Sequence, residues 1–306
     1  MKKAIFSTEI SLLRSTMQRL LRRSAHVNIS KILRKTHQAD VALIMRSLNQ
    51  YEQKIIFSLC PTALHKARLL EELDESLIEK VLENESSKSI SKIFSYLDTN
   101  DQATIIGMFA EKRQSEILTA IEADDKEEVE EIMSYPDDSA GSIMTKETFT
   151  LNQNTTVKQS IKKLQSFPEN DKIFYLYVLD NKEKLVGVVS LRTLVTSNNS
   201  KKLRDVMIKD IQAATTDTDQ EEVAKKVAQY NYLALPVVNR QNKFLGIVTI
   251  DDVVDIIREE ASEDILQMAG VGKDREILLK SPIENAKSRA PWILASLVGG
   301  ICAASI

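Results

Sequence analysis

The segment that follows Gly141 contains one unit twice, and this duplication constrains the fold more than any other feature. In the first copy Met144 opens a short segment that leads to a predicted helix over 156–165 and a strand over 174–179. A turn follows, then LVGVVSLRTLV. In the second copy Met207 precedes a predicted helix over 220–229, then ALPVVNRQNKFLGIVTIDDVV. Gly187 aligns with Gly246, 59 residues later, and Ser190 aligns with Thr249. Strands and helices alternating within about sixty residues make a small α/β unit, and two copies that each leave part of an apolar face open would pair.

A second, shorter repeat lies upstream. Residues 24–134 show helical periodicity, and LNQYEQKIIFSL from Leu48, LDESLIEKVLENE from Leu73, LDTNDQATIIGMF from Leu97 and IEADDKEEVEEIM from Ile121 recur at spacings of 25, 24 and 24 residues. Each start pairs an apolar residue with polar groups, such as Asp98 or Asn100, suited to a helix start. Such a period accommodates two short helices per unit and predicts an α-solenoid, with an irregular helical bundle as the alternative. Residues 1–23 read as a further helix, basic on one side through Arg14, Arg19, Arg22 and Arg23, which a solvated face explains. Tyr135-Pro136-Asp137-Asp138 breaks the helical region from the duplicated one.

Composition narrows the function classes. Net charge is −3 with no basic face carrying interleaved aromatics, which argues against nucleic-acid binding. Cys60 and Cys302 lie far apart, which excludes a disulfide framework or a cysteine zinc site. His26, His37 and His65 have no metal-ligand spacing, and no Gly-rich phosphate loop or nucleophile motif occurs, so no catalytic residues are assigned.

After Arg289 the charge disappears. The run APWILASLVGGICAASI, 290–306, is uncharged and rich in small residues, Trp292 sits near its start, and Lys280, Lys287 and Arg289 precede it. It reads as the start of a spanning helix with the preceding chain on the cytoplasmic side, the sequence stopping inside that helix.

The densest chemistry lies between Asp251 and Asp264. Asp251, Asp252, Asp255, Glu259, Glu260, Glu263 and Asp264 face one basic residue, Arg258. On a helix Asp252, Asp255, Glu259 and Glu263 share a face, while Val254, Ile257, Ala261 and Ile265 form an apolar stripe expected to pack on the duplicated units. Like charges at this spacing destabilise a helix by a few tenths of a kcal/mol per pair, which a divalent cation would relieve. A solvated acidic face, with Asp251 or Asp252 capping the helix, accounts for the same pattern.

Each duplicated unit resembles a CBS (cystathionine-β-synthase) domain, and the whole order resembles the MgtE family of magnesium transporters and channels. The resemblance rests on SAGSIMT (139–145), YVLDNKEKLVGVVSLRTLV (177–195), DTDQEEVA (217–224), LPVVN (235–239), GIVTIDDVVDII (246–257), EDILQMAG (263–270) and RAPWIL (289–294). It implies a multidomain chain: an all-α superhelical N-terminal domain over 1–134, then α/β tandem CBS domains over 138–201 and 202–264. A connecting helix over 265–288 and the start of a transmembrane helix over 289–306 follow. It further implies no enzyme activity, a homodimer through the CBS domains, a cell-membrane location with residues 1–288 cytoplasmic, and Mg2+ sensing that closes the pore when cytosolic Mg2+ is high. By motif position, metal ligands fall on Asp219, Glu221, Asp252, Asp255, Glu260, Glu263 and Asp264. Asn231 stands where the family pattern has an aspartate, and N-domain carboxylates near Asp98 and Asp101 do not align securely. CBS domains also hold adenine nucleotides through a G-h-x-T/S-x-x-D stretch. Here GIVTIDD supplies Thr249 and Asp252 for a ribose of ATP or another adenine nucleotide, or for a plain helix cap, whereas the first copy has Ser190 with Thr193 in place of the acid. A nucleotide-sensing regulator of another transporter and a ligand-free scaffold are the rival readings.

Overall fold

A computed structural model describes residues 2–167 and 173–268 of the 306-residue chain. The expected transmembrane start over 289–306 and almost all of the connecting helix over 265–288 lie outside the described residues. Among the described residues no helix is long and apolar enough to cross a membrane.

The N-terminal part is a two-row stack of short helices: α1 (Lys2–Arg22), α2 (His26–Leu33), α3 (Gln38–Met45), α4 (Gln50–Ser58), α5 (Ala63–Leu70), α6 (Glu75–Leu82), α7 (Ser87–Phe94), α8 (Thr99–Gly107), α9 (Glu111–Ala120) and α10 (Ala123–Met133). One row packs α1 on α3, α3 on α5, α5 on α7 and α7 on α9, and the other packs α4 on α6, α6 on α8 and α8 on α10. The predicted superhelical stack is therefore observed, with nearest-neighbour burial along two rows. The repeat starts have a physical role. Leu48, Leu73, Leu97 and Ile121 are all buried, and each is followed by the residue that opens α4, α6, α8 or α10. Each unit thus plugs an apolar side chain into the core immediately before starting its second helix. Local signals set the starts: the Asn49 side chain accepts from Glu52 N–H at 3.0 Å while the Glu52 carboxylate accepts from Asn49 N–H at 3.2 Å. Buried Gln53 donates to the Met45 and Leu48 carbonyls, and buried Gln102 donates to Leu97 O at the equivalent place two units later.

Two three-stranded sheets follow. In the first unit β1 (Thr150–Asn152) pairs parallel with β2 (Tyr175–Leu179), which pairs antiparallel with β3 (Leu185–Ser190). The helices are α11 (Val157–Gln165) and α12 (Leu191–Thr196). The second unit repeats this with β4 (Ala214–Thr215), β5 (Ala234–Val238) and β6 (Phe244–Thr249), with helices α13 (Gln220–Tyr230) and α14 (Ile250–Met268). The two sheets share a register, Val178 opposite Gly187 and Val237 opposite Gly246. Helix 156–165 is realised as α11 with Thr156 as its cap, and helix 220–229 as α13.

The units exchange their leading segments. Thr145 N–H donates to Ile247 O at 2.8 Å and Thr145 O accepts from Ile247 N–H at 3.0 Å, so the segment that opens the first unit extends the sheet of the second. Val188 and Ile208 make the reciprocal pair, which adds the opening segment of the second unit to the first. Met144 and Met207 then pack on Gly246 and Gly187, each across the pair. The absence of a Cβ at these glycines permits that approach. Tyr177 stacks on Phe244 between the sheets, with ring centroids 5.1 Å apart. The core of the helical stack continues through Met144 into Val223, Val248, Val253 and Ile256, whereas the first unit keeps a separate core around Phe149, Leu176 and Val189.

One expectation is corrected here. The apolar stripe of α14 that packs inward is Val253 and Ile256, both buried, whereas Val254 and Ile257 are 40% and 47% exposed. The helix axis is set by the β6–α14 junction, which turns Val253 rather than Val254 onto the sheet. A two-stripe helix offers both faces, and spacing alone does not choose between them.

Candidate functional site

The helical stack meets the second unit at the N-terminus of α8, and acidic side chains converge there. Thr99 N–H donates to Glu147 Oε2 at 3.3 Å and Thr99 Oγ1 donates to Glu147 Oε1 at 2.7 Å. Asp98, which precedes α8, makes no side-chain capping bond, so Glu147 from the loop after Met144 supplies that cap from outside the helix. The next residue, Asn100, donates from Nδ2 to Asp252 Oδ1 at 3.2 Å across the junction. Both carboxylates sit at the positive end of a helix dipole, which favours them there. Asn100 is 6% exposed and its Oδ1 has no hydrogen-bond partner. A buried amide oxygen without a donor carries a desolvation penalty of about 1–3 kcal/mol unless something electropositive reaches it.

The surrounding electrostatics are acidic. Partial burial, followed by the nearby Glu147, pushes the Glu128 carboxyl above the ordinary carboxylate range, with Asp125 and Glu131 adding to the rise and Lys146 opposing it. Burial also works to raise Glu131, but hydrogen bonds from Lys146 and from Tyr135 at 2.9 Å outweigh it and hold Glu131 below its usual range. The Lys146–Glu131 pair ties α10 to the segment after Met144.

The residues assigned from sequence divide between this junction and other surfaces. Asp252 lies in the junction. Its Oδ2 accepts from Thr249 N–H at 3.3 Å and from Thr249 Oγ1, so Thr249 and Asp252 cap α14. Ser190 and Thr193 form the matching cap of α12. Glu260 accepts from Gln220 Nε2 at 2.7 Å and so joins α14 to α13. Asp219 caps α13 by accepting from Glu221 N–H at 2.8 Å, and Glu221 pairs with Lys225 at 2.6 Å. Asp255 is exposed and pairs with Arg258 at 3.1 Å. The side chains of Glu263 and Asp264 lie outside the described residues. Among the described residues no group of three or more His, Cys, Asp or Glu side chains is placed to enclose a metal. Asn231 has a role of its own: at φ 53° and ψ 42° it ends α13 in the left-handed conformation that favours Asn or Gly.

Sequence reading missed Glu147, Glu128 and the reach of Asn100. Asn100 looked like a helix-start acceptor, whereas it is buried and points across the junction. Glu147 sits in an irregular loop, and nothing in its local sequence marks it. The contact becomes visible only when α8 and the second unit are placed side by side.

Comparison with known proteins agrees with the architecture. The model of the MgtE intracellular N domain matches residues 36–138, and that of the CBS domain matches 140–198 and 203–259. A Bacillus subtilis protein named magnesium transporter MgtE is 34% identical over 272 residues, covering 85% of this chain and 60% of that protein. One of the same name from Enterococcus faecalis is 36% identical over 180 residues, covering 58% of this chain and 39% of that protein. The chain therefore spans 60% of the Bacillus subtilis protein's length and 39% of the Enterococcus faecalis protein's. Among solved structures, the cytosolic domain of the Mg2+ channel MgtE in complex with ATP is 27% identical with a TM-score of 0.75, covering 79% of this chain and 99% of that one. The soluble part of a magnesium transporter, at 23% identity, shares the fold with a TM-score of 0.70 over 82% of this chain and 99% of that one. The helical stack and the paired α/β units are matched by the two domain models in that order, so the chain carries an MgtE intracellular N domain followed by tandem CBS domains.

Proposed function

We propose that this chain is the cytoplasmic, Mg2+-sensing regulatory part of a membrane-embedded magnesium transporter or channel. In this reading Mg2+ holds a compact form that closes the pore when the cytosolic ion is abundant. The chain is not an enzyme, since the Bacillus subtilis relative that matches 85% of it is named a magnesium transporter. The observation that carries the reading is the α8 junction, where Glu147 accepts from Thr99, Asp252 accepts from the Asn100 amide, and the other atom of that amide, Oδ1, is buried without a donor.

Magnesium suits such a place. It is a hard cation that accepts carboxylate and amide oxygens one or two at a time and keeps several waters, so a closed cage is not required. Asp252 and the Asn100 Oδ1 would hold it directly or through water, with Glu147 and Glu128 contributing charge. The ion would favour the docked arrangement because docking is what brings Asp252 against Asn100, and a ligand shifts an equilibrium only by its differential affinity. Without the ion, repulsion around Glu128 and Glu147 weakens docking, against the direct bonds from Thr99 and Asn100. Asp219, Glu221, Asp255, Glu260, Glu263 and Asp264 are the remaining candidate ligands. Those on exposed surfaces would need an oxygen from a second protomer, consistent with a homodimer through the CBS domains. The chain would then lie at the cell membrane with residues 1–288 in the cytoplasm.

A second ligand has one supporting observation, the solved relative in complex with ATP. An adenine nucleotide whose ribose approached Asp252 here would compete with Thr249 and Asn100 for its oxygens.

The test is hydrogen exchange and limited proteolysis at the junction loop 135–147, across a Mg2+ titration to ~10 mM with monovalent salt at matched ionic strength. Protection that appears with Mg2+ alone, and is lost when Asp252→Asn and Asp255→Asn are combined, supports sensing. Protection indifferent to Mg2+ sinks it, and protection by ATP without Mg2+ moves the assignment to the nucleotide reading.

A further inference from the structure

The most one-sided run of basic charge in the molecule is at the other end of the stack, remote in sequence from every candidate metal ligand. Residues 1–37 carry nine Lys or Arg against a single acidic residue, Glu9, in a chain whose net charge is −3. The N-domain family model begins at residue 36, so this basic stretch lies outside it. Arg14, Arg19, Arg22, Arg23, Lys31, Arg34 and Lys35 are all exposed. None of the seven forms an ion pair among the described residues, although Lys54, Lys66, Lys146 and Lys243 elsewhere each find a carboxylate.

The helices also expose apolar groups on the basic side. In α1 the buried stripe is Met17 with Leu13, Leu20 and Leu21 packed against the core. At about 100° per residue, Leu12, Arg19 and Arg23 fall within roughly 40° of one another on a different side. Leu12 is 68% exposed there. In α2 the spacing of Val27, Lys31 and Arg34 places them together in the same way, and Val27 is 70% exposed. Val27, Lys31, Arg34 and Lys35 border an open depression of about 730 Å³. Two adjacent helices thus present cations flanking solvent-exposed Leu and Val. That pairing of a cationic surface with shallow apolar insertion is what an interfacial helix uses on an anionic lipid surface. A nucleic-acid surface would use the charge but gives no role to exposed Leu12 and Val27, and no aromatic lies among the exposed groups named here.

We propose that the α1–α2 face docks reversibly on the anionic headgroups of the cytoplasmic leaflet and so tethers the free end of the helical stack to the membrane. The inference rests on the reading above only in placing a membrane within reach of this chain. Each Lys or Arg brought close to an anionic surface contributes on the order of 1 kcal/mol, falling off within a Debye length. Seven cations are therefore ample for salt-sensitive docking even when only some of them engage.

The test uses the full chain with vesicles of ~30% anionic phosphatidylglycerol or of neutral phosphatidylcholine, without added Mg2+, so that it stands or falls apart from ion sensing. The uncharged run 290–306 will associate with vesicles of either charge, so the readout is local: hydrogen exchange of amides 10–36. Protection of these amides on anionic vesicles only, reversed by salt, is expected. Combining Arg19→Gln, Arg23→Gln, Lys31→Gln and Arg34→Gln should reduce the anionic-lipid preference at least about tenfold. A companion carrying Arg19→Lys, Arg23→Lys and Arg34→Lys should retain it, which separates loss of charge from loss of fold. Equal protection on neutral vesicles overturns the proposal, as does no protection on either. Protection by single-stranded RNA but not by vesicles overturns it in favour of nucleic acid. Protection that grows with protein concentration without lipid overturns it in favour of a second copy of the chain.

Discussion

Single atoms decide several properties of this chain. A Cβ at Gly246 would lie 2.5 Å from the Thr145 backbone oxygen, whereas one at Gly187 would meet the Met207 side chain, Sδ first at 2.3 Å. Backbone held in a sheet pair cannot retreat; a methionine can swing Sδ and Cγ away, but its Cβ, at 2.9 Å, moves only with the backbone. Gly246→Ala and Gly187→Ala should therefore each cost about 1–3 kcal/mol, read by chemical denaturation of both variants. Cys60 illustrates the same scale in charge. Burial pushes its thiol up to about 12, with Lys66 opposing. The thiol is thus protonated at pH 8 and should resist iodoacetamide in the native state, with labelling at Cys60, followed by mass spectrometry, appearing only on denaturation. Rapid native labelling would contradict the burial.

At the scale of elements, the repeat holds together through its corners as much as its helices. Gln53 and Gln102, 49 residues apart, occupy the same place in two units and return buried side-chain donors to the loop carbonyls. Gln53→Ala should leave the carbonyls of Met45 and Leu48 without this donor and cost about 1–3 kcal/mol, visible as a lower denaturation midpoint. Gln53→Glu should be worse still, because it replaces the donor with a charge in a buried place. The stripe of α14 belongs to this scale too. Val253 and Ile256 are buried while Val254 and Ile257 face outward, so Val253→Ala should destabilise by more than 1 kcal/mol and Val254→Ala should stay within about 0.5 kcal/mol.

Across the whole molecule, the docking of the helical stack on the second CBS unit is linked to pH with opposing signs. Glu128 is raised, first by desolvation and then by Glu147, so its favourable contribution is present at low pH and is lost as pH rises through its folded value. Glu131 is lowered by Lys146 and Tyr135, so its contribution is present above the ordinary carboxylate range and is lost as pH falls. At pH 7 Glu128→Gln removes an unfavourable charge and should raise the thermal midpoint, by less than about 1 kcal/mol since solvent reaches this side chain. The gain should shrink as pH falls into the carboxylate range and wild-type Glu128 takes up its proton. Lys146→Ala should act in the opposite direction at pH 7, because it leaves Glu131 with the Tyr135 hydroxyl but without its ion-pair partner.

The architecture was legible in the amino-acid sequence because repetition and periodicity are local. The 24–25-residue spacing of Leu48, Leu73, Leu97 and Ile121 marked the plug residues of the stack, and the alignment of Gly187 with Gly246 marked the paired sheets. Asp252 and Glu260 also carried a local signal, their place in an acidic helix. Glu147, Glu128 and the side chain of Asn100 carried none, because what brings them together is contact between segments separated by up to 152 residues. The choice of Val253 over Val254, and the crossing of Met144 and Met207 to opposite sheets, were likewise settled by tertiary packing. Sequence determines which faces a helix or strand can offer, whereas the competition among all surfaces for a limited buried volume decides which face is used.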